Sequence, residues 1–155
     1  MPILETRTLH WPDESACAAT AQALARRPEL RDATIELRGE LGAGKTTFAR
    51  HLLRALGVEG RIKSPSYAVV EPYELPEGAH AWHFDFYRFG DPHEWEDAGL
   101  REMYAAPGLK LAEWPEKAAA VLPEPDLRVA LDVLDGARRR ATFEARTPTG
   151  RALLP

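Results

Sequence analysis

The stretch that decides the fold is "GELGAGKTTFARHLLRALG", residues 39–57. Its first eight residues match the pattern G-x-x-x-x-G-K-[ST] over the full length. The glycines at 39, 42 and 44 allow the backbone to bend so that successive N–H groups point inward at phosphate oxygens. Lys45 adds a mobile positive charge, and Thr46 adds a hydroxyl suited to Mg²⁺. The pattern therefore predicts a site for the phosphates of a nucleotide.

The neighbouring residues have the local structure that such a loop requires. The segment "ATIELR" (33–38) alternates apolar and polar residues, which indicates a strand. Apolar residues recur at helical spacing in 48–56, and Gly57 is a natural C-terminal cap. The helix that starts near Lys45 adds the positive end of its dipole to the predicted phosphate site.

The other segments read as further helices and strands around this unit. A helix follows Pro12, with Asp13 or Ser15 as its N-cap, and Pro28 stops it. A second helix covers "DPHEWEDAGLREMY" (91–104), which opens with a capping-box arrangement at Asp91. The remaining predicted strands are 66–75, 81–89, 109–114, 127–134 and 138–146, the last two joined as a hairpin by Asp135-Gly136.

Strands that alternate with helices around a phosphate loop predict an α/β fold. We expect one domain over residues 1–155, with a flexible tail at 147–155. The expected architecture is a three-layer P-loop NTPase-like domain, in which helices flank a mixed, mostly parallel central sheet.

Composition limits the classes of partner and compartment. The net charge is −4, so no broad basic face indicates tight binding to nucleic acid. Cys17 is the single cysteine, which excludes an intramolecular disulfide and a cysteine zinc site. The sequence has no signal-peptide pattern at its start and no apolar run of membrane-spanning length. We expect a cytoplasmic protein that does not associate with membranes.

Two acids are candidates for the chemistry that a P-loop ATPase needs beyond its loop. Glu113 ends "LKLAEW", where a Walker-B carboxylate would lie beside the P-loop strand; the alternative is a helix-capping acid. Asp85 is flanked by Phe84 and Phe86 and faces the other side if both rings point into the core; the alternative is a surface acid. His83 is either a donor to phosphate or a packed strand histidine.

Three functions are compatible with this pattern. The favoured one is an Mg²⁺-dependent ATPase, with adenine favoured over guanine because no Asn-Lys-x-Asp string is present. A small-molecule kinase would need an acceptor pocket and a lid, and neither can be assigned. A nucleotide-gated interaction module would dock through apolar residues of the 91–104 helix, although Trp95, Leu100 and Met103 are equally core candidates.

Five strings of this sequence resemble the TsaE family of bacterial P-loop ATPases, in the same order and with family-like gaps. They are "GELGAGKTTF", "KSPSYAVVEPY", "HFDFYR", "DPHEWEDAGL" and "EWPEKA". The resemblance covers roughly residues 10–145 and is specific, since a generic P-loop protein would match the first string alone.

The resemblance implies a role for individual residues. ATP would bind to Leu41, Gly42, Ala43, Gly44, Lys45, Thr46 and Thr47. Thr46 and Glu113 would ligate Mg²⁺, and Asp85 would be the catalytic or water-positioning acid, acting with Lys45. Segment 63–67 resembles a switch loop that senses the γ-phosphate through Ser64 or Ser66. Glu14 and the Arg138–Arg140 stretch, with Arg139 as the candidate, match regions near the base and ribose.

The resemblance also implies partners and a pathway. The family is needed for the threonylcarbamoyl group on adenosine 37 of tRNAs that read codons starting with A. A protein of this kind would dock onto the TsaD–TsaB pair and hydrolyse ATP to reset that complex between turnovers. The acidic net charge suggests that tRNA is held mainly by the partners.

Overall fold

The computed structural model describes residues 2–65, 69–97 and 99–155. The strands in these residues are β1 (Glu5–Trp11), β2 (Thr34–Arg38), β3 (Val70–Glu74), β4 (His80–Asp85), β5 (Leu109–Glu113), β6 (Leu127–Val133) and β7 (Arg139–Ala145). The helices are α1 (Glu14–Ala25), α2 (Lys45–Ala55), α3 (His93–Asp97), α4 (Leu100–Ala105) and α5 (Pro148–Ala152). Short 3-10 helices span Pro28–Asp32, Pro76–Gly78 and Pro115–Ala118.

All seven of these strands form one mixed sheet in the order β1-β7-β6-β2-β5-β4-β3. The central strands β6, β2, β5 and β4 run parallel to one another, and the outer strands β1, β7 and β3 add antiparallel pairs. The predicted α/β class with a mixed, mostly parallel sheet is therefore confirmed. Because the parallel strands share one direction, the carboxyl ends of β2, β4 and β5 meet at the same edge of the sheet.

Helices α1 and α2 pack together over one face of the sheet. In α2 the buried residues Phe48, Leu52 and Leu53 lie on one side, as their spacing predicted. Phe48 stacks on Trp11 at a centroid distance of 5.6 Å, and both rings contact Phe143 of β7 at 6.4 and 6.5 Å. This apolar layer holds α2 against the sheet and so fixes the direction in which the loop before α2 points.

Helices α3 and α4 cover the other face beside β4 and β5. The predicted single helix over 91–104 is wrong, because Gly99 takes a left-handed φ of 69° and starts a second helix. The capping box at Asp91 does form, since the Glu94 carboxylate accepts from the Asp91 N–H at 3.2 Å. Trp95 and Leu100 are buried together with Phe84, Phe86 and Tyr104 in an apolar cluster, here called the second apolar cluster. The core interpretation of this segment is therefore confirmed for Trp95 and Leu100.

The two ends of the chain differ from expectation. Strand β1 was not predicted, and it pairs antiparallel with β7 at one edge of the sheet. The flexible tail expected at 147–155 is instead a docked helix: the Thr147 side chain caps α5 by accepting from the Gly150 N–H, and Leu153 is fully buried. Across the described residues, every helix is too short or too polar to cross a bilayer.

The other predicted strands form with adjusted ends. The hairpin of β6 and β7 turns at Asp135-Gly136 as predicted, with the Arg138 N–H bonded to the Asp135 carbonyl at 2.8 Å. The strand expected over 81–89 ends at Asp85, because the chain turns through a Phe89-to-Phe86 backbone bond. Residues 66–68 of the segment predicted as extended lie outside the described residues.

Candidate functional site

The glycine loop connects the end of β2 to the start of α2. Gly39 has a φ of 151°, and a Cβ at this position would lie 2.8 Å from the Leu131 carbonyl oxygen of β6. Gly44 is the N-cap of α2 in the left-handed region, with a φ of 108°. Both positions therefore require glycine, and the loop folds tightly enough for the first free N–H groups of α2 to face outward as an anion site.

Lys45, the first residue of α2, lies almost fully buried at this site. Its Nζ donates to the Gly39 carbonyl and lies 3.6 Å from the centroid of the Trp114 indole ring. Burial lowers the pKa of Lys45, while nearby carboxylates, first that of Glu113, act to raise it. The ammonium group is thus held beside the loop by an uncharged carbonyl and an aromatic ring, which an anionic phosphate can replace as its partner.

Thr46 and Glu113 form the second contact of the site. The Thr46 hydroxyl lies 2.9 Å from each carboxylate oxygen of Glu113, and its single hydrogen is donated to this carboxylate. Glu113 is the last residue of β5, pairs with Leu37 of β2 in the parallel register, and is 2% exposed. A half-buried hydroxyl and a buried carboxylate in contact are hard oxygen ligands of the kind that Mg²⁺ accepts.

Asp85 ends the neighbouring strand β4 and pairs with Glu113 in the register. Phe84 and Phe86 stack on each other at 5.7 Å in the second apolar cluster, so Asp85 faces the α2 side, as the alternation predicted. Its Oδ1 accepts from the Tyr87 N–H at 3.0 Å. Burial raises the pKa of Asp85, the Tyr87 bond lowers it, and the Glu113 carboxylate raises it again.

These side chains converge on one cavity of about 230 Å³, here called the loop cavity. Its walls include Leu41, Gly42, Ala43, Gly44, Lys45, Thr46, Thr47, Ser64, Asp85, Glu113 and Trp114. The structure thus brings together the contiguous loop residues and the two acids that the sequence placed 28 positions apart at Asp85 and Glu113. One cation, one hydroxyl and two carboxylates around a bent loop can bind a phosphate chain together with a divalent metal ion.

A second cavity of about 180 Å³, here called the α1 cavity, lies on the other side of the loop. Glu14, Thr47 and Arg139 line it together with the backbone of Gly42 and Gly44. The Arg139 guanidinium donates to the carbonyls of Gly42 at 3.3 Å and Ala43 at 3.0 Å, and so braces the loop. Glu14 bonds His51 Nε2 at 2.9 Å. Because the α1 cavity adjoins the loop cavity, it can hold the part of a nucleotide beyond its phosphates.

Comparison with known proteins decides the family. A family model described as "Threonylcarbamoyl adenosine biosynthesis protein TsaE" matches residues 11–141. The chain belongs to the TsaE family. A TsaE described as a tRNA threonylcarbamoyladenosine biosynthesis protein, from Haemophilus influenzae, is 38% identical over 139 residues, which cover 87% of each chain. A Bacillus subtilis protein of the same description is 32% identical over 148 residues, covering 94% of this chain and 87% of that one.

A solved structure supports the fold. The crystal structure of Bacillus subtilis YdiB superimposes with a TM-score of 0.80, covers 99% of this chain and 94% of its own, and is 23% identical. At that identity the likeness concerns the fold.

Some predicted positions do not join the TsaE site. Ser64 lines the loop cavity, but Ser66 and Tyr67 of the switch-like segment lie outside the described residues. Arg138 and Arg140 form exposed ion pairs with Asp135 and Asp132 along the hairpin, while Arg139 alone of the three lines the α1 cavity.

Two contacts were missed from the sequence. His83 was considered as a phosphate donor or a packed residue, and it is fully buried, with Nε2 2.6 Å from Glu113 Oε2. The partly buried Trp114 packs against the second apolar cluster, and its indole also lies under the Lys45 ammonium. Strand alternation gave a signal for the first contact, since His83 and Asp85 share one face of β4. No local pattern predicts the second, which depends on the left-handed φ of 54° at Trp114.

Proposed function

We propose that this chain is an Mg²⁺-dependent ATPase and an accessory subunit in formation of the threonylcarbamoyl group on adenosine 37 of tRNAs that read codons starting with A. The observation that carries the ATPase proposal is the convergence of Lys45, Thr46, Asp85 and Glu113 on one loop cavity. The names of the relatives, which refer to tRNA threonylcarbamoyladenosine biosynthesis, support the pathway.

The residues at the end of β5 fit a magnesium ion. Thr46 and Glu113 already lie in contact at 2.9 Å, and both are oxygen donors. Within the described residues no group of three or more His, Cys, Asp or Glu side chains is arranged as a complete metal cage. Mg²⁺ rarely uses such a cage, since it keeps waters and phosphate oxygens as ligands. When bound, the ion would neutralise charge on the outer phosphates.

The chain's own groups would then act by position and charge. Lys45 would leave the Gly39 carbonyl and the Trp114 ring to contact the outer phosphates, and the N–H groups at the start of α2 would bind their oxygens. Asp85 would orient the attacking water. Its raised pKa, caused first by burial, brings the carboxylate closer to the basicity that a proton acceptor needs.

The partners follow from the family. We propose docking onto TsaD-type and TsaB-type proteins, with tRNA contacted indirectly through them and no role for a membrane. The net charge of −4 supports this arrangement, because a lone tRNA-binding subunit would be expected to carry a basic surface. ATP hydrolysis would reset the complex between turnovers.

The test measures phosphate release from ATP and Mg²⁺ by the chain alone and after addition of purified TsaD–TsaB. Lys45→Ala serves as the inactive control, and GTP replaces ATP in parallel. A slow rate that rises with the pair, and is lost in the control, supports the proposal. If the rate of phosphate release is the same with and without TsaD–TsaB, the accessory role is wrong. Transfer of phosphate to a metabolite instead of water would indicate a kinase.

A further inference from the structure

His83 is buried in strand β4, next to the edge strand β3, and lies beside the predicted metal ligand. Its side chain is fully inaccessible, and Nε2 lies 2.6 Å from Glu113 Oε2. The other ring nitrogen, Nδ1, has no hydrogen-bond partner within the described part of the chain. His83 is absent from the residues that line the loop cavity in the structure, so it reaches that cavity only through Glu113.

The hydrogen-bond pattern assigns the donor. A carboxylate only accepts, so the ring hydrogen that serves this contact is the one on Nε2. Glu113 Oε2 therefore accepts from His83, while the single hydroxyl hydrogen of Thr46, whose oxygen lies 2.9 Å from both carboxylate oxygens, serves one of them at a time. The His83 bond thereby restricts rotation of the carboxylate.

A purely packing role fits His83 poorly. A buried polar ring that uses one of its two nitrogens costs free energy compared with an apolar side chain of similar volume. Phe84, the next residue of β4, is an example of a buried apolar side chain on the opposite face of the strand, where it is fully buried among aromatic rings. Among the described residues the side chain of His83 makes one hydrogen bond, the one to Glu113, so that contact is what an apolar replacement would remove.

We propose that His83 is a positioning residue that holds the Glu113 carboxylate in the orientation needed to bind Mg²⁺. This inference rests on the proposed function, because it requires Glu113 to be a metal ligand. Partners that orient metal ligands typically contribute 10–100-fold to metal affinity. Loss of the His83 hydrogen bond should therefore weaken the effect of Mg²⁺ on nucleotide binding and leave metal-free nucleotide binding unchanged.

The experiment measures the Kd of N-methylanthraniloyl-ADP by fluorescence, once in EDTA and once in excess Mg²⁺. The ratio of the two values is the magnesium factor. The variants are His83→Leu, which removes the donor, and His83→Gln, whose amide nitrogen can occupy the place of Nε2. Phe84→Leu is the matched control, because it alters packing on the same strand without touching Glu113.

We expect His83→Leu to lower the magnesium factor about tenfold with the EDTA value unchanged, and His83→Gln to restore much of it. Phe84→Leu should lower the melting temperature and keep the wild-type factor. An unchanged magnesium factor in His83→Leu, or an equal fall of that factor in Phe84→Leu, would overturn the role of His83. Neither result would affect the proposed function. If the wild-type factor is one, both this inference and the magnesium part of the proposed function are wrong.

If His83→Leu does not fold, the variants His83→Asn and His83→Gln can be compared with each other. His83→Asn has the same amide as His83→Gln on a shorter side chain, so its donor is drawn back from Glu113. The proposal expects the Asn variant to have the lower magnesium factor. Equal factors in the two amide variants would contradict it.

Discussion

Gly150 tests whether the C-terminal segment is held as the structure shows. A Cβ at this position would lie 1.8 Å from the carbonyl oxygen of Asp126 and 2.7 Å from its carbonyl carbon. These are backbone atoms, and the Asp126 carbonyl also accepts the Arg146 N–H at 2.9 Å, so it cannot move aside freely. Gly150→Ala should therefore force α5 away from Asp126, the residue directly before β6.

The size of the effect follows from what the docked helix buries. Undocking α5 would expose Leu153 and Leu154, which are 0% and 6% exposed in the folded chain. Each buried leucine contributes about 1.5–3 kcal/mol, so the free energy of unfolding should fall by roughly 3–6 kcal/mol. For a chain of this size 1 kcal/mol changes Tm by about 2–4 °C, which gives a fall of roughly 6–24 °C.

Circular dichroism melting curves provide the assay, with Gly90→Ala as the control. A Cβ on Gly90 meets no atom within 4 Å, so the same chemical change should leave Tm nearly unchanged. Leu153→Ala should destabilise alone, but it should add little to Gly150→Ala, because the leucine is already exposed there. If Gly150→Ala melts within about 2 °C of the control, a span below the smallest expected fall, the docking of α5 is wrong.

Three further predictions concern the loop cavity. Lys45→Ala should weaken binding of a fluorescent ATP analogue about 10- to 150-fold, since a hydrogen bond to a charged group contributes about 1.5–3 kcal/mol; equal affinity would contradict the role of Lys45. Glu113→Ala should make nucleotide binding insensitive to Mg²⁺ in the same titration, and a normal Mg²⁺ effect would remove Glu113 from the metal site. Asp85→Asn should abolish phosphate release and yet raise Tm at pH 7. The gain in Tm is expected because burial raises the pKa of Asp85, so the ionised carboxylate is less favourable in the folded chain than in the unfolded one. That gain should fade as the pH falls through the raised pKa toward 3.8, and a gain that is independent of pH would refute the argument.

The parts of the fold that were predictable have local causes. The loop from Gly39 to Thr46 and helix α2 follow from contiguous residues, and the turn at Asp135-Gly136 follows from its dipeptide. Strand β1 was missed because its pairing partner β7 lies more than 120 residues away in the chain. Helix α5 has five residues and no helical stability of its own, so it forms through contacts with distant parts of the fold.

The features of the candidate site also differ in how far the sequence predicts them. Glu113 could be placed at a strand end from the sequence, whereas the strand predicted over 81–89 put Asp85 inside a strand; the structure ends β4 at Asp85 and so brings both acids to one edge of the sheet. The bond between His83 and Glu113 could not be predicted, because it depends on side-chain rotamers as well as on register. Which arginine of 138–140 reaches the loop likewise depends on the register of the hairpin. Of the three, Arg139 alone points at the loop.

The contact between the Lys45 ammonium and the Trp114 ring gives the protein an intrinsic fluorescence signal for nucleotide binding. A cation 3.6 Å from the ring centroid perturbs the indole, and a phosphate that draws Lys45 away would remove that perturbation. Nucleotide binding should therefore change the intrinsic emission of this chain, which has four tryptophans, and Trp114→Phe should abolish the change. The occupancy of the site could then be followed without a labelled ligand, in real time and in the presence of partner proteins.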